Sequence, residues 1–249
     1  MTSTLLLERN DGVATLTLNR PEARNALNMA MCADLLAACM DLAADDSVRV
    51  VFVRANGSVF SAGADLKERQ GMDDNGVRAR RLRAFAAYHA LESLPMPTVA
   101  VVNGPAIGSG CEIAAACDFI VATPEASFRT PEALWGTVGA TQRLPRILGK
   151  RLAKDMMFTG RVLRADEALA AGLVARLVAA EALENEIASI AATIVKAPPA
   201  SMALAKTSVD RGLELDPKGA LATELLAIEE NLARNNWRAG IAGFGKTSS

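Results

Sequence analysis

Short apolar runs separated by turn residues dominate the first half of the chain, and each run has the length of a strand. The first two, at residues 5–8 and 13–18, flank the tripeptide Asn-Asp-Gly at 10–12, a strong hairpin signal. Later runs are rich in β-branched residues, are bounded by turn residues and lie at residues 48–53, 99–102 and 119–122. The pattern therefore predicts five strands before residue 123.

Apolar residues also recur at helical spacing, above all in the last third of the chain. Asn28 is a good N-cap for the helix that follows it, and residues 77–94 form a second helical pattern. Further helices are predicted at residues 141–160, 165–171, 181–196, 199–214 and 218–236, with one short strand at 174–178. The alternation up to about residue 180 predicts an α/β core, and we expect the helical tail to pack on a neighbouring subunit.

Composition and charge narrow the protein class. The 249 residues are 51% hydrophobic and only 4% aromatic, so Ala, Val and Leu form most of the core. A net charge of −1 provides no global attraction to nucleic acid or an anionic membrane. The four cysteines form no CxxC pair, which favours reduced thiols over metal ligands. Because no targeting peptide or long apolar span stands out, we expect a cytoplasmic protein.

The most informative stretch for chemistry is residues 99–132. Gly108 allows the backbone to approach a ligand, and a helix that starts near Ser109 directs unpaired N–H groups out of its first turn. Glu112 lies in this first turn, and Glu132 follows the next apolar run, 20 residues later. We expect the two carboxylates to face one reacting centre.

Residues 60–66 form a second turn of mostly small residues with exposed backbone. N–H groups from the two turns would hold an oxygen that becomes negative, while Glu112 and Glu132 would transfer protons, which is the chemistry of an enolate. Each such donor typically contributes on the order of 3 kcal/mol. Taken singly, Glu112 is equally compatible with a structural carboxylate at a helix start, and Glu132 with a capping or surface acid.

Three other motifs are interpreted as structural or incidental. His89 is the single histidine and lies far along the chain from any Gly-rich turn, so a surface or core position is favoured over a triad base or zinc ligand. Residues 240–247 match GxxxxGK[ST], but no helical pattern follows, so nucleotide hydrolysis is not expected. The basic run at residues 78–83 is predicted to be a solvated helix face, with an RNA-binding patch as the alternative.

Seven blocks of the chain, in order, resemble the crotonase superfamily. They are NRPEARNALN (19–28), FSAGADLKE (60–68), VVNGPAIGSGCEIAAACD (101–118), SFRTPEALWG (127–136), TQRLPRILG (141–149), TGRVLRADEALAAGLV (159–174) and GIAGF (240–244). The resemblance implies an α/β fold in which repeated ββα units form a spiral catalytic core, residues 1–190. It also implies a helical C-terminal region, residues 191–249, that forms homotrimers or dimers of trimers. The implied substrates are acyl-coenzyme A thioesters, with no separate cofactor or metal.

The resemblance also implies roles for individual positions. The oxyanion hole would be formed by the backbone N–H groups of Ala64 and Ser109, where the family usually has glycine at the second position. Contacts to substrate or coenzyme A are implied for Arg24, Ala26, Ala62, Asp65, Leu66 and Trp135.

Glutamate at both 112 and 132 is the pattern of enoyl-CoA hydratases within this superfamily. Glu112 would then activate water for attack on the β carbon of a trans-2-enoyl thioester, and Glu132 would protonate the α carbon. We expect the helix start to keep Glu112 ionised, and apolar Leu134 and Trp135 to raise the pKa of Glu132.

One departure from the hydratase pattern keeps two further functions open. The Gly-rich loop at residues 136–141 is about three residues shorter than is usual in hydratases. A double-bond isomerase or another crotonase reaction is therefore one alternative. A catalytically impaired protein that binds acyl-CoA or RNA is the second.

Overall fold

The computed structural model describes residues 3–234 together with residues 237 and 238. Its strands are β1 (Leu5–Asn10), β2 (Val13–Leu18), β3 (Val50–Ala55), β4 (Thr98–Val102), β5 (Pro105–Ile107), β6 (Phe119–Ala122), β7 (Ser127–Arg129), β8 (Leu163–Arg164) and β9 (Arg176–Leu177). Its helices are α1 (Met29–Ala43), α2 (Leu66–Gln70), α3 (Asp74–Glu92), α4 (Ser109–Ala115), α5 (Arg143–Thr159), α6 (Ala165–Ala170), α7 (Leu183–Lys196), α8 (Pro199–Gly212) and α9 (Pro217–Ala233).

The predicted strands form most of one six-stranded sheet in the order β1-β2-β3-β4-β6-β9. The predicted hairpin of β1 and β2 is confirmed as an antiparallel pair, and the strands that follow across the sheet are parallel. Alternate residues of β3 face opposite sides: Val51 and Val53 join the main core, whereas Val50 and Phe52 pack with Ile190 of α7. Both faces of the sheet are covered, which explains its continuous apolar strands.

A smaller sheet, β5-β7-β8, runs beside the large one and gives the chain its spiral course. From β4 the chain passes into β5 and then α4, and from β6 it passes into β7 and then a short 3-10 helix, Glu132–Trp135. A bridge from Ser61 to Ala106 adds the turn after β3 to the same layer. The repeated ββα spiral implied by the resemblance is therefore confirmed, and each turn of it brings a loop to one edge.

The predicted helices are present, with shifted ends. Asn28 caps α1 by accepting a hydrogen bond from the Met31 N–H at 2.9 Å, as its sequence position predicts. The helix predicted at 141–160 is interrupted at Gly149, which has φ of 72°. Over their described lengths α8 and α9 contain no buried residue, whereas α7 covers the sheet, and the division at residue 190 stays a prediction.

The length and apolarity of the helices determine whether any of them could span a membrane. Within the described residues, no single helix is long and apolar enough to cross a membrane. By length and composition alone, one pair bent by 105° would pass the same test, Ala180–Lys196 with Pro199–Gly212.

Candidate active site

Two glycine-containing turns pack against each other and create the candidate site. Gly63 has φ of 92°, and a Cβ added there would lie 2.8 Å from the carbonyl oxygen of Ile107. Gly108, with φ of 52°, begins α4, and a Cβ there would lie 2.7 Å from Oε1 of Glu132. Only glycine tolerates both the positive φ and the close approach at these positions. The turns at residues 60–64 and 104–110 are thereby held in contact.

Each of the two packed turns contributes one candidate backbone donor, the N–H of Ala64 in the first turn and the N–H of Ser109 in the second. The Leu27 N–H donates to the carbonyl of Gly63 at 2.7 Å, and the Asp65 N–H donates to the carbonyl of Leu27 at 2.9 Å, which fixes the chain on both sides of Ala64. Within residues 3–234, the N–H groups of Ala64 and Ser109 donate to no protein acceptor. Ser109 is the first residue of α4, where a helix has no internal partner for its N–H.

Both turns and both glutamates line a single cavity of about 90 Å³. Ala64, Ser109, Glu112 and Glu132 all contribute to its wall, so the four residues that the sequence places in one reaction are brought together. Three further residues with predicted substrate contacts also line it, namely Ala62, Leu66 and Trp135. The remaining wall includes apolar residues of α3 and of the loop at residues 137–140, together with three arginines, Arg69 of α2 and Arg80 and Arg81 of α3.

Glu112 is held by an ion pair that sequence reasoning missed. It is only 6% exposed, and its Oε2 accepts a hydrogen bond from Nη1 of Arg143 at 2.8 Å. The other side of the Arg143 guanidinium donates to both carboxylate oxygens of Glu92, at 3.1 and 2.6 Å. Burial raises the pKa of Glu112, and the Arg143 charge and hydrogen bond act against this rise.

Glu132 has no such partner within residues 3–234. Its Oε2 is buried and receives no hydrogen bond from the described part of the chain. Burial raises its pKa; its own backbone N–H opposes the rise, the Glu112 charge reinforces it and the Arg81 charge opposes it. The Tyr88 hydroxyl, in the wall of the same cavity, is also buried and lies beside the Ser109 side chain. Buried polar atoms of this kind are usually satisfied by a ligand or an ordered water.

Burial raises the pKa of Glu132, as expected, but it raises the pKa of Glu112 as well. The helix start does not protect Glu112 from desolvation, because α4 has only seven residues and the carboxylate lies inside the protein. Leu134 and Trp135 do not enclose Glu132, since they are 51% and 57% exposed. Glu132 instead lies against the backbones at Gly108 and Gly139. The feature that distinguishes the two glutamates is therefore the ion pair of Glu112 with Arg143.

Three residues with predicted coenzyme A contacts lie outside the cavity wall: Arg24, Ala26 and Asp65. The carbonyl of Arg24 accepts from the Ala62 N–H at 2.9 Å, while its side chain is exposed. Asp65 caps α2 and forms an ion pair with Arg20 at 3.0 Å. Burial acts to raise the pKa of Asp65, but backbone and Arg20 hydrogen bonds outweigh it and lower the pKa. Their contact with a ligand stays a prediction.

The basic run at residues 78–83 is only in part a solvated face. Arg78 is exposed, but Arg80 is buried at 4% exposure and donates to the carbonyl of Leu27. Arg81 donates to the Val138 carbonyl at 2.8 Å and to the Thr137 hydroxyl, and it lines the cavity. Burial of Arg80 and engagement of Arg81 weaken the RNA-binding alternative. The side chains turn inward because α3 packs between α1 and the site.

The remaining motifs have simpler outcomes. The side chain of His89 is 78% exposed on α3, which confirms a surface position. The four cysteines are buried and free, as expected for reduced core thiols. Within residues 3–234, no group of three or more His, Cys, Asp or Glu side chains is arranged to hold a metal ion. The motif at 240–247 and the GIAGF block lie outside the described residues.

Known proteins resemble this chain over nearly its whole length. The family model described as Enoyl-CoA hydratase/isomerase matches residues 8–248. The probable enoyl-CoA hydratase of Rhizobium meliloti is 39% identical over 246 residues, 97% of this chain and 94% of that protein. Enoyl-CoA hydratase domain-containing protein 2, mitochondrial, of Mus musculus is 38% identical over 245 residues, 94% of this chain and 82% of that protein.

Solved structures agree over the same length. The crystal structure of the enoyl-CoA hydratase from Mycobacterium smegmatis superposes with a TM-score of 0.93 at 38% identity, covering 97% of this chain and 95% of that chain. The Bacillus anthracis enoyl-CoA hydratase also gives 0.93, at 32% identity and the same coverage. The family model matches nearly the whole chain, and relatives with 38–39% identity support the match. Sequence and fold therefore indicate the same family. The chain belongs to the enoyl-CoA hydratase/isomerase family, the crotonase superfamily of the sequence analysis.

Proposed function

We propose that this protein is an enoyl-CoA hydratase that adds water across the double bond of a trans-2-enoyl-CoA thioester. One observation carries the proposal: two buried carboxylates and two backbone N–H groups, unpaired within residues 3–234, line one small cavity. The relatives named as enoyl-CoA hydratases support the same reaction class.

The proposed reaction uses each group once. Ionised Glu112 removes a proton from water as the oxygen attacks the β carbon. The electron pair moves to the thioester oxygen, where the N–H groups of Ala64 and Ser109 stabilise the enolate by about 3 kcal/mol each. Protonated Glu132 then delivers its proton to the α carbon. Coenzyme A is part of the substrate, and the steps require no separate cofactor or metal.

The direct test is the loss of enoyl-thioester absorbance when the protein is mixed with crotonyl-CoA. We expect a decrease that proceeds to an equilibrium and forms the 3-hydroxyacyl thioester, identified by mass spectrometry. Binding of crotonyl-CoA without any decrease would contradict the hydratase proposal. The assay needs a catalytically inactive family protein of similar size as its protein control.

A double-bond isomerase is the second candidate, and the contrast between the two glutamates supports it. Glu112 is bound to Arg143, whereas Glu132 has a buried oxygen without a hydrogen-bond partner in the described part of the chain. Glu132 is therefore the better candidate for a group that carries a proton from one carbon to another. Conversion of a trans-3-enoyl thioester to its trans-2 isomer, with no uptake of solvent oxygen, would assign this reaction.

Large apolar side chains are exposed on the C-terminal helices. Leu213 beside α8 and Leu226 in α9 are 82% and 71% exposed, and burial of such side chains against neighbouring subunits is favourable. We therefore propose a homotrimer or a dimer of trimers. Leu226→Lys is expected to lower the mass measured by light scattering, because a charge is costly in an apolar interface. Met40→Lys, at a 65% exposed position of α1, is the matched control and is expected to leave the mass unchanged. A monomeric wild type would refute the assembly.

We also infer a reducing compartment, the cytoplasm. Four buried free cysteines are typical of a protein that folds in a reducing compartment. The mouse relative carries the word mitochondrial in its name, so fractionation of the source cells is the required test. Recovery of the protein with an organelle fraction would contradict the cytoplasmic assignment.

A further inference from the structure

We propose that Arg69 and Arg81 form an anion subsite inside the candidate cavity and that the preferred thioesters carry a carboxylate at the far end of the acyl chain. The inference rests on the proposed function, because it concerns the substrate of the same site. It arises from arginines in the wall that neither the carboxylates nor the oxyanion hole requires.

Arg69 is a partly buried cation in the cavity wall. It lies on α2 and also lines the adjoining cleft next to Leu66, Trp135 and Thr137. Its side chain forms no hydrogen bond or ion pair with the described part of the chain, because the adjacent Glu68 carboxylate is directed to the Met29 N–H and to Arg80. A guanidinium in this position has all of its donors available to an incoming anion.

Arg81 faces the same cavity from α3 and is held in place by the loop at residues 137–138. Its two terminal nitrogens donate to the carbonyl of Val138 and the hydroxyl of Thr137, which orients the guanidinium without neutralising its charge. The neighbouring Arg80 is buried, and its Nε lies 3.8 Å from the Glu68 carboxylate, an ion pair that is too long for a hydrogen bond. Burial lowers the pKa of Arg81, and repulsion from Arg69 and Arg80 lowers it further.

The charges of the cavity wall do not balance. Arg69 and Arg81 carry two positive charges that no carboxylate among the described residues pairs with, whereas Arg80 faces the Glu68 carboxylate at 3.8 Å. Glu112 is already paired with Arg143, and burial favours the neutral form of Glu132. Grouped arginines of low exposure are costly unless an anion completes them.

The chemistry of the missing anion follows from the location. A forked guanidinium pairs well with either a carboxylate or a phosphate. Arg24, Ala26 and Asp65, where the resemblance implies coenzyme A contacts, lie outside this cavity, whereas Leu66 lines it near Arg69. Because the subsite shares its cavity with the two glutamates, we assign the anion to the acyl chain that reacts there. The competing source of an anion is a phosphate of coenzyme A.

The test compares thioesters that differ only in this charge. Binding of glutaryl-CoA and pentanoyl-CoA, measured by calorimetry, compares a terminal carboxylate with a methyl group on saturated, unreactive chains. We expect wild type to prefer glutaryl-CoA by about tenfold or more, and Arg69→Met to remove most of this preference. Arg78→Met removes the same charge from an exposed position outside the cavity and is expected to retain the preference.

Further measurements distinguish a phosphate contact from a carboxylate contact, and failure of the anion subsite from failure of the hydratase reaction. Equal weakening of both CoA thioesters by Arg69→Met, with no effect on the corresponding pantetheine thioesters, would assign the arginines to a phosphate and overturn the inference. Equal wild-type affinity for glutaryl-CoA and pentanoyl-CoA would overturn it as well. Hydration of pent-2-enoyl-CoA by wild type is measured separately, so its absence would count against the hydratase reaction and not against the anion subsite.

Discussion

Replacement of either buried glutamate by glutamine is expected to reduce hydration of crotonyl-CoA by about 10²- to 10⁴-fold, the usual contribution of a general acid or base. Glutamine keeps the shape of the side chain but neither accepts the proton of water at position 112 nor delivers a proton at position 132. Because the cavity contains both groups, the loss should appear in kcat, while the affinity for a saturated thioester should change little.

The same pair of variants separates the two candidate reactions. A hydratase requires both groups, whereas an isomerase that uses Glu132 alone should retain most of its activity in Glu112→Gln. Glu125→Gln is the matched control, since Glu125 is an exposed glutamate seven residues before Glu132 and outside the cavity. Full hydratase activity in Glu132→Gln would exclude the proposed proton donor.

Loss of the Arg143 guanidinium is expected to move the acidic limb of the pH profile to higher pH. Glu112 must be ionised to act as a base, and burial already raises its pKa. Arg143 opposes that rise, so Arg143→Met raises the pKa further and leaves less of the base ionised. At pH 6, we therefore expect kcat/KM to fall by about tenfold or more, with partial recovery at alkaline pH.

Arg143 also supports the proton on Glu132 indirectly. The charge of Glu112 is one of the causes that raise the pKa of Glu132, so a Glu112 that stays ionised helps Glu132 stay protonated. Without the arginine, the two carboxyls compete for the same proton and titrate as a coupled pair. This predicts that the acidic and alkaline limbs approach each other in Arg143→Met.

The controls for this prediction use the geometry of the ion pair. Arg143→Lys keeps the charge and should restore much of the activity at pH 6, while Glu92→Gln should have a smaller effect because it removes only the outer support of Arg143. A loss of kcat/KM that is independent of pH would show that Arg143 is needed for structure and does not control the ionisation of Glu112.

Local patterns were sufficient for most of the fold. The hairpin follows from residues 10–12, the cap of α1 from Asn28, and the buried strands from short β-branched runs, because each depends on neighbours in sequence. The spiral order came from family resemblance, since no local pattern states which strand pairs with which. The break at Gly149 was missed because a glycine inside a helical pattern is usually tolerated.

The glutamates and the two turns were identified from sequence because glycine near a helix start, followed by a carboxylate, has a direct physical meaning. Their environment was not. Arg143 lies 31 residues after Glu112, Arg81 lies 57 residues before Val138, and no spacing rule connects such pairs. The run at 78–83 looked like a solvated face because charge patterns do not show which side of a helix the rest of the protein covers.

The sequence by itself thus determined the α/β class, most of the elements, the two candidate carboxylates and the two exposed-backbone turns, while the family resemblance supplied the proposed acid, base and backbone-donor roles. The tertiary structure alone decided their surroundings: the cavity that Ala64, Ser109, Glu112 and Glu132 share, the ion pair that distinguishes the two carboxyls, and the arginines in the wall. The physical reason is that residue type and short-range spacing define what a group is able to do. Desolvation and charge pairing, which set its pKa and its partners, depend on segments that meet only after folding.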